Sequence, residues 1–139
     1  MNLSELARIP VFAALRKDRE KVLDSAMQRT YAQGATVVEE GEASAHMYFI
    51  VTGHAAVTTA AQGQRAVLGP GDFFGELGLI KRHPRSATVI AEDELTVVIV
   101  GAWEFREFLE QHPEMAVPMV YGLVSRLHDL HGHEHEPTA

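Results

Sequence analysis

Single glycines interrupt the middle of the chain at short distances. Between residues 31 and 68 they separate short runs rich in Val, Thr and aromatic side chains, the residue types that favour strands. The clearest runs are Thr36–Val38, 47–51 and Ala55–Thr59, and residues 87–91 and 95–100 repeat the pattern further on. Short strands with glycines between them predict an antiparallel β-roll or jelly-roll barrel.

Helical patterns flank this β-rich region. Apolar residues at 12–27 roughly follow a helical repeat, and residues 102–111 predict a helix after Gly101. His112-Pro113 opens a second C-terminal helix, in which Pro118 either marks a kink or a new start, or is a first-turn residue of a shorter helix. The expected fold is therefore mainly β with flanking helices: N-terminal helices, a roll, a short helix within it and two C-terminal helices.

Length and charge limit the functional classes. The 139 residues suit one domain with its own core, and no apolar run reaches the ~20 residues of a membrane span. The absence of cysteine excludes disulfides and thiolate chemistry, and a net charge of −7 argues against a nucleic-acid surface. We expect a single domain over residues 1–131, a disordered His-rich tail over 132–139 and a cytoplasmic location.

Residues 74–88, FGELGLIKRHPRSAT, place groups suited to a small ligand within one loop and one helical turn. Gly75 allows the backbone to turn close to a ligand. Arg85 offers a fork of donors for phosphate oxygens, and Ser86 offers a hydroxyl. Glu76 would repel a phosphate but can accept hydrogen bonds from sugar hydroxyls. The set predicts a sugar phosphate; alternatively, Glu76 and Arg85 form an ion pair and bind nothing.

This segment resembles the phosphate-binding cassette of cyclic-nucleotide-binding domains, in which a Phe-Gly-Glu-Leu element is followed by Arg-Ser-Ala-Thr or a close variant. The Gly-Pro-Gly-Asp turn at 69–72 and the glycines at 41 and 53 extend the resemblance over about residues 12–130. It implies a β-roll that binds a cyclic nucleotide, cAMP rather than cGMP, with no other cofactor. It also implies a sensor whose signal passes to a separate effector protein.

The resemblance also implies roles for individual residues. Glu76 would accept from the ribose 2′-hydroxyl, Arg85 would pair with the cyclic phosphate, and Ser86 would hydrogen-bond to it. The remaining implied site residues supply backbone groups, pocket walls or, in the last helix, contacts to the base: Gly75, Leu77, Ala87, Phe74, Val57, Leu68, Leu123, Ser125 and Leu127.

The last helix carries an apolar stripe, and two interpretations of it stay open. Its members recur at spacings of three, four and three: Val120, Leu123, Leu127 and Leu130. The stripe either packs on the roll or pairs with its twin in a homodimer. The dimer is our expectation, because the resemblance also favours it.

Other functional classes fit less well. Alternate histidines in the tail can bind metal opportunistically, but a specific site needs ligands fixed in a closed shell. No P-loop, dinucleotide fingerprint or Ser–His–Asp order is present, so we expect neither a metal site nor an enzyme. The serious alternative is a β-roll that has lost its ligand and serves as a protein-interaction module.

Overall fold

The computed structural model describes residues 2–43, 45–80 and 84–135, and beyond residue 128 it describes the backbone alone. Within these ranges, three short helices open the chain and two longer helices close it. The helices are α1 (Leu3–Leu6), α2 (Pro10–Ala13), α3 (Arg19–Ser25), α4 (Ala102–Gln111) and α5 (Ala116–His135). A 3-10 turn, Pro113–Met115, joins α4 to α5.

Between the helices the chain forms an antiparallel β-roll. The described strands are β1 (Ala26–Tyr31), β2 (Thr36–Val38), β3 (His46–Thr52), β4 (Ala55–Thr59), β5 (Gly63–Leu68), β6 (Phe73–Phe74), β7 (Thr88–Ala91) and β8 (Leu95–Gly101). They build two sheets, in the orders β1–β8–β3–β6 and β2–β7–β4–β5, and every pairing is antiparallel. The fold class predicted from the sequence is confirmed.

The central strands β3 and β8 of the first sheet have buried side chains on both faces. Alternate side chains point to opposite faces of a strand, so Met47 and Phe49 pack against the helices while Ile50 faces the interior of the roll. On the helical side, the Phe49 ring lies 4.7 Å from that of Phe12 and 5.3 Å from that of Phe105, centroid to centroid. This aromatic cluster fixes the N-terminal helices and α4 on the roll.

The single helical pattern predicted over residues 12–27 is wrong in its extent. The chain leaves α2 after Ala13, and Asp18 adopts a left-handed φ of 69° before α3 begins. Met27 lies in β1 and is 63% exposed. The apolar residues keep a helical period across this interruption only by chance. Leu15 and Val22 are both buried, but they belong to two separate segments of the chain. The sequence pattern does not delimit strands β1 and β5.

Pro118 is a first-turn residue of the last helix and does not mark a kink. Because α5 begins at Ala116, Pro118 is its third residue and belongs to the first turn, where a missing N–H is tolerated. Gly122 lies further along, where a Cβ would approach the Phe73 ring to 2.9 Å, so glycine permits α5 to pack closely on the roll. The helix backbone extends to His135, past the predicted tail boundary at 132, and residues 136–139 lie outside the described ranges.

Candidate functional site

Gly75 turns the chain sharply after β6. Its φ is 91°, a left-handed value that glycine adopts without strain. A Cβ here would lie 2.5 Å from the carbonyl oxygen of His46 and 2.8 Å from Nη1 of Arg85. The short 3-10 turn Glu76–Leu79 follows at once, in agreement with the predicted helical turn. The absence of a side chain at Gly75 therefore lets this turn lie directly beside Arg85.

Arg85 is held by its backbone and partly buried at its side chain. Its amide donates to the carbonyl oxygen of Glu42 at 2.7 Å, and its own carbonyl accepts from the amide of Gly41 at 2.8 Å. The guanidinium donates to the carbonyl of His46 at 3.2 Å and lies over the Tyr48 ring. Desolvation by burial lowers the pKa of Arg85 below its ordinary value.

No carboxylate of a described residue forms an ion pair with Arg85. Ring contact with Tyr48, which stacks on Phe74 at 4.8 Å between centroids, holds the guanidinium in place without neutralising it. A cation that is partly desolvated and unpaired favours an anion. Arg85 is therefore chemically suited to an anionic group.

Glu76 pairs with a residue that sequence reasoning missed. Its Oε1 lies 2.6 Å from Nη1 of Arg126 on α5, and both side chains are mostly buried. Arg126 also donates to the carbonyl oxygen of Phe73 and lies over the Phe73 ring. The ion pair between Glu76 and Arg85, which was the alternative interpretation of the sequence, does not form, because Glu76 pairs with Arg126 instead. The helical repeat could have indicated Arg126, which is three residues after the predicted Leu123.

These groups surround a cavity of about 550 Å³ between the roll, α5 and the 3-10 turn Glu76–Leu79, here called the cassette turn. Ten of the twelve residues predicted for the site line it: Val57, Leu68, Phe74, Gly75, Glu76, Leu77, Arg85, Ser86, Ala87 and Leu123. The structure adds further lining residues, among them Arg65, Ala66, Val89, Met119 and Arg126. Ser125 and Leu127 are not part of the lining and are exposed on α5.

The cavity combines an apolar wall with a few polar groups. Side chains of β4 and β5 supply much of the wall, whereas Glu76, Arg85 and Ser86 bring charge and a hydroxyl to the cassette side. Within the described residues, the Ser86 hydroxyl makes no hydrogen bond. Such a cavity suits a ligand with one anionic group, hydroxyls and a flat apolar part.

Two negative findings bear on other kinds of site. Among the described helices, none has both the length and the apolar character needed to cross a bilayer. In the same residues, no group of three or more His, Asp or Glu side chains is arranged to hold a metal ion.

Comparison with known proteins agrees with this geometry. A profile of the cyclic nucleotide-binding domain matches residues 28–112. The chain is 34% identical over 116 residues to a cyclic nucleotide-gated potassium channel of Rhizobium etli, a match that covers 83% of the chain and 32% of the channel. It is 40% identical over 90 residues to a cAMP-dependent protein kinase regulatory subunit of Mycosarcoma maydis, covering 62% of the chain and 17% of the subunit. The chain thus spans about a third or less of these relatives.

Solved structures give the same result. The N-terminal domain of a transcriptional regulator from Streptomyces coelicolor A3(2) superposes with a TM-score of 0.63 at 29% identity, covering 92% of both chains. The cAMP-bound protein PfPKA-R superposes with a TM-score of 0.72 at 25% identity, covering 91% of this chain and 45% of the other. The chain belongs to the cyclic nucleotide-binding domain family.

Proposed function

We propose that the cavity binds a cyclic nucleotide, with cAMP preferred over cGMP, and that the chain acts as a non-enzymatic sensor. The observation that carries the proposal is Arg85: its guanidinium is partly buried, has no carboxylate partner among the described residues, and lines a cavity that Glu76 and Ser86 also line. The names of the kinase subunit and of the cAMP-bound neighbour support cAMP as the ligand.

In this proposal each cassette residue has one task. The guanidinium of Arg85 pairs with the cyclic phosphate, and the Ser86 hydroxyl and the Ala87 amide donate to its oxygens. Glu76 accepts from the ribose 2′-hydroxyl, while backbone groups of Gly75 and Leu77 lie beside the sugar. The wall residues then contact the flat base: Phe74, Val57, Leu68 and Leu123.

The ion pair of Glu76 with Arg126 offers a route from the ligand to α5. A ribose hydroxyl that donates to the Glu76 carboxylate changes the ion pair between Glu76 and Arg126. Because Arg126 is part of α5, that change acts on the helix. A ligand shifts such an equilibrium only by its preference for one of the two arrangements. We propose that binding repositions α5 in this way and that a separate effector protein in the cytoplasm responds to it.

A homodimer through α5 is the second part of the proposal. The apolar stripe that is exposed on α5 differs from the one inferred from sequence, since Leu123 faces the cavity and the side chain of Leu130 lies outside the described residues. The exposed stripe, here called the α5 stripe, consists of Val117, Val120, Tyr121, Val124 and Leu127. Its spacing of three and four residues suits pairing with a second α5.

Calorimetry of the nucleotide-free chain with cAMP and cGMP tests ligand binding. We expect saturable binding of both, tighter for cAMP. The variant Arg85→Ala should lose most of its affinity, because the buried phosphate then lacks its cation and charged hydrogen bonds are worth about 1.5–3 kcal/mol each. Arg8→Ala, which changes an exposed arginine outside the cavity, is the matched control and should bind as the parent does.

The alternative function, a ligand-free interaction module, predicts a different outcome. Its support in the structure is that Glu76 already has a protein partner and that α5 exposes apolar side chains. If the parent chain gives no heat with either nucleotide and an unchanged melting temperature, the sensor proposal fails. If Arg85→Ala binds as tightly as Arg8→Ala, the phosphate position has been assigned wrongly.

A further inference from the structure

A β-bulge in β5 brings an arginine to the cavity. Val57 pairs with Ala66, but the next residue of β4, Thr58, pairs with Gln64, so Arg65 is the extra residue between two rungs of the ladder. Strict alternation from Leu68 would place Arg65 with the outward-facing Val67, which is 47% exposed. Instead both Arg65 and Ala66 line the cavity. Bulges near binding sites characteristically redirect one side chain in this way.

Arg65 differs from the other arginines that line the cavity. Arg85 donates to a backbone carbonyl and lies over Tyr48, and Arg126 is paired with Glu76. For Arg65, by contrast, no hydrogen bond, ion pair or ring contact with another described residue exists. Its guanidinium therefore has all of its donors available to a ligand.

The sheet order separates Arg65 from the cassette. The order β2–β7–β4–β5 places β5 two strands away from β7, which begins directly after Ser86 and Ala87. Two inter-strand spacings amount to about 10 Å. The lining between them is apolar and includes Val57 and Val89. By this strand order, Arg65 lies across the apolar wall from the cassette.

We propose that Arg65 contacts the base of the bound nucleotide and raises the affinity for cGMP relative to cAMP. The inference rests on the proposed function of this cavity. A guanidinium carries donors only, and guanine presents two acceptors, N7 and O6, on one edge. Adenine presents one acceptor there and an amino donor. Arg65 thus forms two hydrogen bonds with guanine and one with adenine. The rest of the site favours cAMP, and Arg65 makes the difference between the cAMP and cGMP affinities smaller.

Calorimetric titration of the nucleotide-free parent, Arg65→Ala and Arg65→Gln with cAMP and cGMP tests this role. Arg65→Ala should weaken cGMP binding about tenfold and cAMP binding less than about threefold. Arg65→Gln should raise the preference for cAMP further, because a side-chain amide matches the acceptor and donor of adenine. Gln64→Ala, an exposed neighbour on β5, should change neither affinity.

Three other results of these titrations would contradict the proposed role of Arg65. If Arg65→Ala weakens both nucleotides equally, Arg65 is a second phosphate contact and the base assignment is overturned. If the ratio of the two affinities is unchanged in both variants, Arg65 does not contact the ligand. If the parent itself binds neither nucleotide, the proposed function fails and this inference fails with it. A melting curve of each variant, compared with Gln64→Ala, separates loss of folding from loss of contact.

Discussion

At the scale of single residues, Gly75 is a position in the site that leaves no room for a side chain. Replacing it by alanine adds a Cβ that would lie 2.5 Å from the carbonyl oxygen of His46 and 2.8 Å from Nη1 of Arg85. Its φ of 91° adds backbone strain, which costs about 1–3 kcal/mol for a residue with a Cβ. The substitution therefore acts on the turn and on the proposed phosphate position at Arg85 together.

Gly34→Ala separates these two effects. Gly34 has nearly the same φ, 87°, but a Cβ there meets no atom within 4 Å. We expect Gly75→Ala to lower the free energy of unfolding by more than Gly34→Ala and to reduce nucleotide affinity at least about tenfold, because Arg85 must move. Gly34→Ala should keep the parent affinity. Urea denaturation and calorimetry measure both quantities, and equal losses in the two variants would show that strain alone matters at Gly75.

At the scale of elements, the contact that joins the cassette turn to α5 is the pair of Glu76 and Arg126. Its side chains retain only 21% and 25% of their exposure, so water screens the pair less than a surface ion pair. A double-mutant cycle with Glu76→Gln and Arg126→Ala should give a coupling energy within the range of about 0.5–3 kcal/mol known for contacting residues. Urea denaturation of the four proteins measures it.

An exposed ion pair supplies the control for this cycle. Arg106 and Glu110 lie one turn apart on α4 at 3.2 Å, with 44% and 67% of their side chains exposed. Pairs of this kind contribute about 0.3–0.5 kcal/mol. A coupling energy for Glu76 and Arg126 no larger than that of the α4 pair would contradict a structural link between the ligand site and α5.

The elements also show how far sequence reasoning reaches. Strands β2 and β4 and helix α4 were delimited correctly because their residue types and periods agree with their final environment. The run from Phe12 to Met27 misled, since the left-handed Asp18 interrupts it without any glycine or proline to mark the break. In the site, the cassette is a local motif that the sequence shows directly. The contact of Arg126 with Glu76 spans 50 residues of sequence, so only the helical spacing of Arg126 from Leu123 points to it.

The bulge at Arg65 illustrates a further limit. A strand pattern read with period two assigns every side chain to a face, and one inserted residue reverses that assignment. Nothing in the local sequence distinguishes Arg65 from an outward-facing residue of β5. Its place in the cavity follows from the pairing of β5 with β4, which is a property of the folded sheet.

At the scale of the whole molecule, two surface properties oppose each other. The net charge of −7 makes two copies repel, whereas the α5 stripe favours their association by burying apolar area. The 20-residue helix that carries the stripe is about 30 Å long, long enough to form the seam of a two-fold interface. We therefore expect a dimer that tightens as added salt screens the repulsion.

Val124→Glu tests this dimer directly. Val124 lies within the α5 stripe and is 56% exposed, so the new carboxylate is solvated in the monomer but would be buried near its twin in a two-fold pair. We expect sedimentation equilibrium to show a dimer for the parent and a monomer for Val124→Glu. Met27→Glu, at an exposed apolar residue on β1, should stay dimeric. A parent chain that is monomeric at every concentration and salt level would contradict the homodimer.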